Sequence, residues 1–382
     1  MIANSINWTI AMLSLLAHSS EREETLVGRV SCGQGRRWAR GLKDNLMVRK
    51  RVRMTALIAA MAMPIFSLVG CGSAVTDPSI SKASTATLPV MQGHTSYPLT
   101  VTSCGVSQVF ESAPKRAVTL TSTATETMLE LGLEKRMVGT AYQRNRPIGS
   151  QYKKAYDSIP ILASGQPSME KLLSVNPDFV YSGYPDGFSK SNGHTREDLK
   201  KLGIKTHLSP VGCSDQVKTL EDETKEIRTI GQIFDVNDKA EKAVRRFNSK
   251  VSSVKNSVKG KDRPKVFLYN SGIEAPITVG GWAYASVMID AAGGENIFAH
   301  EPLRWGKMSW EQVAKADPDM ILIYDYKTPS VDQKIKTLKS IPALKDTKAV
   351  KNNAFPVISL SLAQPGPRSA EGIEQLAKQF HS

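Results

Sequence analysis

The residues of this 382-residue chain that could do chemistry are aromatic and cationic, and they recur at the ends of short apolar runs. Tyr142, Arg144 and Arg146 close or follow the run 137–142, Tyr184 follows 179–182, and Trp282 follows 277–280. Tyr326 follows 320–324, Arg304 and Trp305 sit between two such runs, and Arg368 follows 355–359; Ser122, Thr123 and Tyr284 hold similar positions. Aromatic rings offer large, rigid contact area, and arginine offers permanent charge with a fixed fork of donors. Together they suit the holding of a bulky, partly anionic small molecule. Nothing points to its conversion: there is no G-x-S-x-G elbow, no P-loop and no G-x-G-x-x-G after the first strand. An exported α/β enzyme with a site assembled from distant residues, or a tethered sensor, are the competing classes. Beyond residue 70 the histidines are His94, His194, His207, His300 and His381, none at the paired spacing of a metal site, so no metal and no resident cofactor is expected. Haem as cargo would need one axial side chain, for which Tyr142, Tyr184, Tyr326 and His300 are candidates.

The apolar runs read as strands alternating with helices. Residues 116–122, 137–142, 179–182 and 205–208 are extended, with helices over 123–133, 168–176 and 195–202 between them. Thr123 and Glu126 have the spacing of a capping box. The pattern restarts with strands at 265–269, 277–280, 320–324 and 355–359 and helices at 284–292, 310–316 and 369–380. Strand–helix alternation with few hairpin signals predicts an α/β fold whose parallel sheets are covered by helices. Between the halves, Ala240, Val244, Phe247, Val251 and Val254 recur every three to four residues, one stripe of a helix over 237–258. Its length, about 30 Å at 1.5 Å per residue, is enough to cross between two lobes; an ordinary amphipathic surface helix has the same pattern.

The start of the chain is a different kind of sequence. Arg49–Arg53 is a basic cluster, followed by the apolar stretch Met54–Val69 and then Gly70-Cys71-Gly72, a signal peptide in outline. Leu68-Val-Gly-Cys71 resembles the bacterial lipobox, which implies diacylglyceryl transfer to Cys71 and cleavage before it. Residues 1–70 therefore read as leader, with 1–46 an upstream extension and Met47 the expected start. Residues 71–98 read as a Ser/Thr/Pro-rich lipid-anchored tether, 99–236 as an N-terminal lobe, 237–261 as the bridging helix and 262–382 as a C-terminal lobe. Ten Lys/Arg and four Asp/Glu lie in 1–70, so the remainder keeps +14 − 6 = +8 of the formal charge. Export disfavours nucleic acid as the partner of that charge; anionic headgroups or an anionic ligand remain. Export also leaves Cys104 and Cys213 as an even pair in an oxidising compartment, predicted to form a disulfide.

One internal match links the halves. Ser168-Met-Glu170 through Asn176-Pro-Asp178-Phe-Val180 aligns without a gap on Ser309-Trp-Glu311 through Asp317-Pro-Asp319-Met-Ile321. With Lys115–Leu120, Thr125–Leu133, Val138-Gly-Thr140 and Gly293–Phe298, these stretches resemble the substrate-binding proteins of ABC importers for ferric siderophores, haem and cobalamin. The resemblance covers nearly the whole chain after Cys71, and Cys104-Gly with Ser209–Cys213 is similar to an actinobacterial-type subgroup. It implies two Rossmann-like lobes bridged by a long helix, a monomer that takes a ferric siderophore in the cleft, and delivery to permease subunits driven by a separate ATPase subunit. Haem, cobalamin or an anionic cofactor precursor are the alternative cargoes. It further implies that Glu170 and Glu311, one on each lobe, dock on permease arginines.

Overall fold

In a computed structural model, residues 93–141, 147–213 and 217–382 are described. Cys71, Tyr142, Arg144 and Arg146 lie outside them. The described residues all belong to one compact unit.

The first lobe opens with an antiparallel hairpin, β1 (Leu99–Ser103) and β2 (Val106–Phe110). The sequence reading has no hairpin here. Its turn is Cys104-Gly105, with φ of 46° and 77°, and positive φ at both central residues is the mark of a type I′ hairpin turn. There follow β3 (Ala117–Thr119), α1 (Ser122–Glu130), β4 (Met137–Ala141), α2 (Lys153–Tyr156), β5 (Ile161–Ala163), α3 (Met169–Leu173), β6 (Phe179–Ser182), α4 (Arg196–Lys201) and β7 (Lys205–Leu208). The strands form one parallel sheet in the order β5-β4-β3-β6-β7. Next come α5 (Leu220–Ile233) and α6 (Asn237–Ser257).

The second lobe is built from β8 (Lys265–Tyr269), β9 (Ile277–Val279), α7 (Tyr284–Ala291), β10 (Glu295–Asn296), β11 (Trp305–Lys307), α8 (Trp310–Ala316), β12 (Met320–Asp325), α9 (Val331–Ser340), α10 (Lys348–Lys351), β13 (Val357–Ser359) and α11 (Ser369–Phe380). Its parallel sheet runs β10-β8-β12-β13. The expected strand at 277–280 is not in it: β9 pairs antiparallel with β11 in a separate ribbon, Val279 opposite Trp305. The reason is local. A Cβ at Gly281 would lie 2.1 Å from the Ala299 carbonyl oxygen, and the Gly281 N–H donates to Glu301 O at 2.9 Å. The segment 299–303 thus folds back onto the end of β9 and carries β11 with it.

The internal match marks equivalent places in the two lobes. In each, a residue at φ near +45° (Asn176 at 43°, Asp317 at 45°) precedes Pro-Asp. Each Asp then clamps the amino end of the neighbouring strand. Asp178 accepts the Lys115 and Arg116 N–H groups at 2.7 and 2.9 Å, and Asp319 accepts the Lys265 N–H at 2.8 Å. The register follows, with Ala117 opposite Phe179 and Val266 opposite Met320.

The bridging helix divides its stripe between the lobes. Ala240, Ala243 and Val244 belong to the core formed with Phe179, Ile227 and Phe234, whereas Phe247, Val251 and Val254 belong to the core formed with Met288, Ile373 and Phe380. One apolar face therefore serves two cores, which a surface helix would not do. Arg228 donates to both carboxylate oxygens of Glu241, at 2.7 and 3.2 Å, and fixes α5 on α6. The last residues of the expected tether are part of the body: Thr95 and Tyr97 donate hydroxyls to Gln232 O and Ile233 O at 2.9 Å each, and His94 pairs with Asp235 at 3.0 Å. Three side-chain anchors in four residues account for that difference.

Truncating Phe247 to Ala removes the first side chain that α6 gives the second core. We expect a loss of about 3–5 kcal/mol by urea unfolding, with the second lobe losing protection in hydrogen exchange first.

Candidate functional site

The cleft lies beyond the carboxyl ends of β6, β12 and β13, where open parallel sheets take their ligands. Tyr184 comes two residues after β6, Tyr324 stands within β12, and Gln364 follows β13. With Val211, Tyr284, Arg304 and Trp305 they line a cavity of about 40 Å³. The Tyr184 hydroxyl donates to Gln364 Oε1, a direct bond from one lobe to the other. Burial pushes the Tyr324 hydroxyl pKa up, with Tyr326 and Tyr184 adding to the effect. Trp305 is the exposed member of the wall, at 46%. Its ring meets Tyr324 edge-on with centroids 6.2 Å apart, and Tyr324 meets Tyr326 in the same way at 6.4 Å. Beneath them Lys334, 2% exposed, places its ammonium 3.7 Å from the centre of the Tyr326 ring and donates to the carbonyls of Tyr324 (2.6 Å) and Asn270 (3.1 Å). Burial lowers its pKa to about 8.

Of the expected ligand residues that the structure describes, Tyr184, Arg304 and Trp305 are brought together on the wall and Tyr326 stands behind Tyr324, edge to face. Arg304 donates to the Cys213 carbonyl at 3.3 Å, and Cys213 is disulfide-bonded to Cys104, Cα to Cα 5.4 Å. Trp282 is half-buried beside the wall, and its carbonyl accepts the Lys218 N–H at 3.2 Å. Arg368 has a different place. It is 13% exposed and donates to Glu126 at 2.9 Å, an ion pair from the α11 end of the second lobe to α1 of the first. Glu126 is accordingly not the N3 partner of a capping box: Thr121 caps α1, and the Glu126 carboxylate takes the Gly149 N–H and the Arg368 guanidinium instead. His300 lies exposed beside Glu301. Tyr324, Gln364 and Lys334 carry no such signal in the sequence: Tyr324 lies inside a strand, Lys334 on a covering helix, and Gln364 is an uncharged amide in the segment after β13. Among the described residues no group of three or more His, Cys, Asp or Glu side chains is placed to hold a metal ion.

Glu170 and Glu311 are both exposed and occupy the same position in their lobes, the first turn of α3 and of α8. Ser168 and Ser309 cap these helices, accepting the Lys171 and Gln312 N–H groups at 3.2 and 3.1 Å. Hydrogen bonds from its own N–H and from Ser309 hold the Glu311 carboxyl below the usual range.

Against this geometry, a family model described as periplasmic binding protein matches residues 118–359. The chain belongs to that family. A periplasmic binding protein from Veillonella parvula shares its fold with a TM-score of 0.68 and 31% identity, over 74% of this chain and 97% of that one. A protein of an ABC-type Fe3+-hydroxamate transport system from Saccharomonospora viridis matches with a TM-score of 0.63 and 26% identity, over 75% of this chain and all (100%) of the other. In sequence, the chain is 24% identical over 269 residues to a vitamin B12-binding protein of Vibrio parahaemolyticus, covering 70% of this chain and 90% of the relative. It is also 24% identical over 328 residues to the ABC transporter substrate-binding lipoprotein YvrC of Bacillus subtilis, 85% of this chain and 96% of that one. This periplasmic binding protein is thus a substrate-binding protein of the ABC-importer type.

Behind the cleft, the two lobes of the binding protein meet through buried carboxylates. Glu223 on α5 accepts the Gly366 N–H, while its Oε1 has no hydrogen-bond partner among the described residues. Burial first, and then neighbouring Glu226, Asp222 and Glu126, push Glu223 up to about 8. Burial likewise raises Glu126, in spite of Arg368. Folding therefore takes up a proton at Glu223 between pH about 4.5, its ordinary value, and about 8. The folded state binds more protons than the unfolded one in that window, so stability is greatest at its acid end and falls as pH rises, by at most about 1.4 kcal/mol per pH unit. Urea unfolding of Glu223→Gln across the same range should show most of this slope removed and a gain in stability at pH 8.

Proposed function

We propose that this chain is the lipid-anchored, extracytoplasmic binding protein of an importer, and that it captures a ferric siderophore between its lobes and hands it to the permease. The observation that carries the reading is the cleft wall. Trp305, Tyr324 and Tyr184 line it with aromatic rings, Trp305 meeting Tyr324 edge-on and Tyr326 meeting Tyr324 edge-on from behind, and Arg304 supplies a guanidinium beside them. Such a wall suits a large ligand with flat or ring-bearing apolar parts and anionic oxygens at its edge. The likeness to a protein of an Fe3+-hydroxamate transport system, spanning all of that chain (100%), supports the same cargo.

A corrinoid is the second reading, and one finding favours it. Arg368 is engaged by Glu126, so the described wall is more aromatic than basic. Several sequence relatives are named for vitamin B12 or cobalamin, at 22–26% identity.

A cavity of about 40 Å³ is far below what either ligand needs, since small-molecule sites run to roughly 300–1,000 Å³. Binding therefore requires the walls to part, with the Tyr184–Gln364 bond broken. The shared helix α6 limits how far they can.

The deciding experiment is a titration of the protein with ferric hydroxamates, cyanocobalamin and haemin, followed by tryptophan fluorescence and visible absorption. We expect one-to-one, sub-micromolar binding of a ferric chelate, weakened about tenfold or more by Trp305→Ala. Tight binding of cyanocobalamin alone would replace the siderophore reading, and indifference to every compound would overturn both. Transport gives a separate outcome. Glu170→Ala combined with Glu311→Ala should leave ligand affinity within about twofold while uptake falls by tenfold or more, because paired charges on a docking surface act on association with the permease. Undiminished uptake would remove Glu170 and Glu311 from docking.

A further inference from the structure

A second concavity, about 1000 Å³, runs between α6 and α11 on the far side of the molecule from the cleft. Lys261 and His381 mark its position: they also flank Pro264 and Asp319, at the amino ends of β8 and β12, whereas the cleft lies at the carboxyl ends. Its rim is cationic. Arg245, Arg246, Lys250, Lys261 and Lys378 face one carboxylate, Glu374. Glu374 is shared by Lys250 and Lys378, and Arg246 is bonded to Glu130. Arg245 and Lys261 are exposed and have no carboxylate partner among the described residues. Ser249, Ser253 and Ser257, one per turn of α6, line the groove with exposed hydroxyls.

The chain's own connection comes to the same helix. Asn237, the first residue of α6, donates to Gly93 O at 2.9 Å, and Thr95 and Tyr97 are bonded to the end of α5. Residues 71–92 lead from the lipobox cysteine to this point.

We propose that the groove between α6 and α11 seats anionic phospholipid headgroups, so that the protein rests with its back on the membrane and its cleft toward solvent until it meets the permease. Clustered ammonium and guanidinium groups above small hydroxyl side chains fit phosphate esters, with charge to attract them and donors to hold them. The net charge of +8 outside the leader acts in the same direction. The orientation rests on the lipid-anchor reading; the headgroup site does not. The two fail separately, because lipidation at Cys71 is read from the acyl mass on the amino-terminal peptide of the mature protein.

The test uses residues 93–382, which lie within one compact unit, and sedimentation with phosphatidylcholine vesicles with or without phosphatidylglycerol. We expect binding to the anionic vesicles alone, lost at high salt. Each basic side chain near an anionic surface is worth about fivefold, so Arg245→Glu with Lys261→Glu should weaken partition by about thirtyfold or more. The charge-matched pair Lys200→Glu, Lys201→Glu, on exposed α4, should weaken it much less. An equal loss from both pairs would reduce the effect to net charge and overturn the site. So would equal binding to neutral vesicles, or tight one-to-one binding of free glycerol phosphate in the absence of vesicles, which would assign the groove to a soluble phosphate ester.

Discussion

The architecture depends on one helix face being shared by two hydrophobic cores. Along α6, Ala240, Ala243 and Val244 are buried with the first lobe, and Phe247, Val251 and Val254 with the second. Each buried valine or phenylalanine of this stripe contributes roughly 1.5–3 kcal/mol. A rotation of one lobe about α6 would therefore expose part of the stripe, or crowd it. Closely packed interiors resist both. The relative position of the sheets' carboxyl ends, and hence the cleft, follows from this constraint before any residue in the cleft is considered.

Other interlobe contacts act on specificity more than on stability. Glu126 and Arg368 are 4% and 13% exposed, and the cost of removing both charges from water offsets most of their attraction. The Gly366 N–H to Glu223 adds a directional bond that only one seating of the second lobe satisfies. These buried acids are what a purely apolar contact would lack: a penalty for every wrong register. The same burial links the contact to pH.

The fold was legible because its signals are local. The strands 179–182 and 265–269 and the helices 310–316 and 369–380 have the bounds the sequence predicts, each being an apolar run or stripe closed by a cap or a break. The Ser-x-Glu and Pro-Asp repeat pointed to two related lobes, and the structure shows why it recurs, with Asp178 and Asp319 each clamping the next strand. What escaped depended on distant partners. The Cys104-Gly105 turn needs φ values that a cysteine does not announce, and β9 leaves the sheet because residues 299–303 fold over Gly281. In the cleft, residue type and position near strand ends selected Tyr184, Arg304 and Trp305, which the structure places on one cavity wall. They could not separate Arg304 from Arg368, since an arginine facing solvent and one facing a buried carboxylate look the same in sequence.

The segment Ala363–Arg368 joins these themes. Gln364 accepts the Tyr184 hydroxyl across the cleft, and two and four residues later Gly366 and Arg368 are held on Glu223 and Glu126. The bond that must break to admit a ligand is a neutral one at the cavity wall, while the neighbouring Arg368–Glu126 pair is charge-assisted and buried. Charge-assisted bonds are about twice as strong as neutral ones, so the weaker should yield first. Opening would then part the walls at Gln364 while Gly366 and Arg368 keep the lobes registered, a small movement about a fixed seam. Such a seam also explains why α6 can stay packed in both cores throughout, and why the acids sit behind the cleft rather than in it.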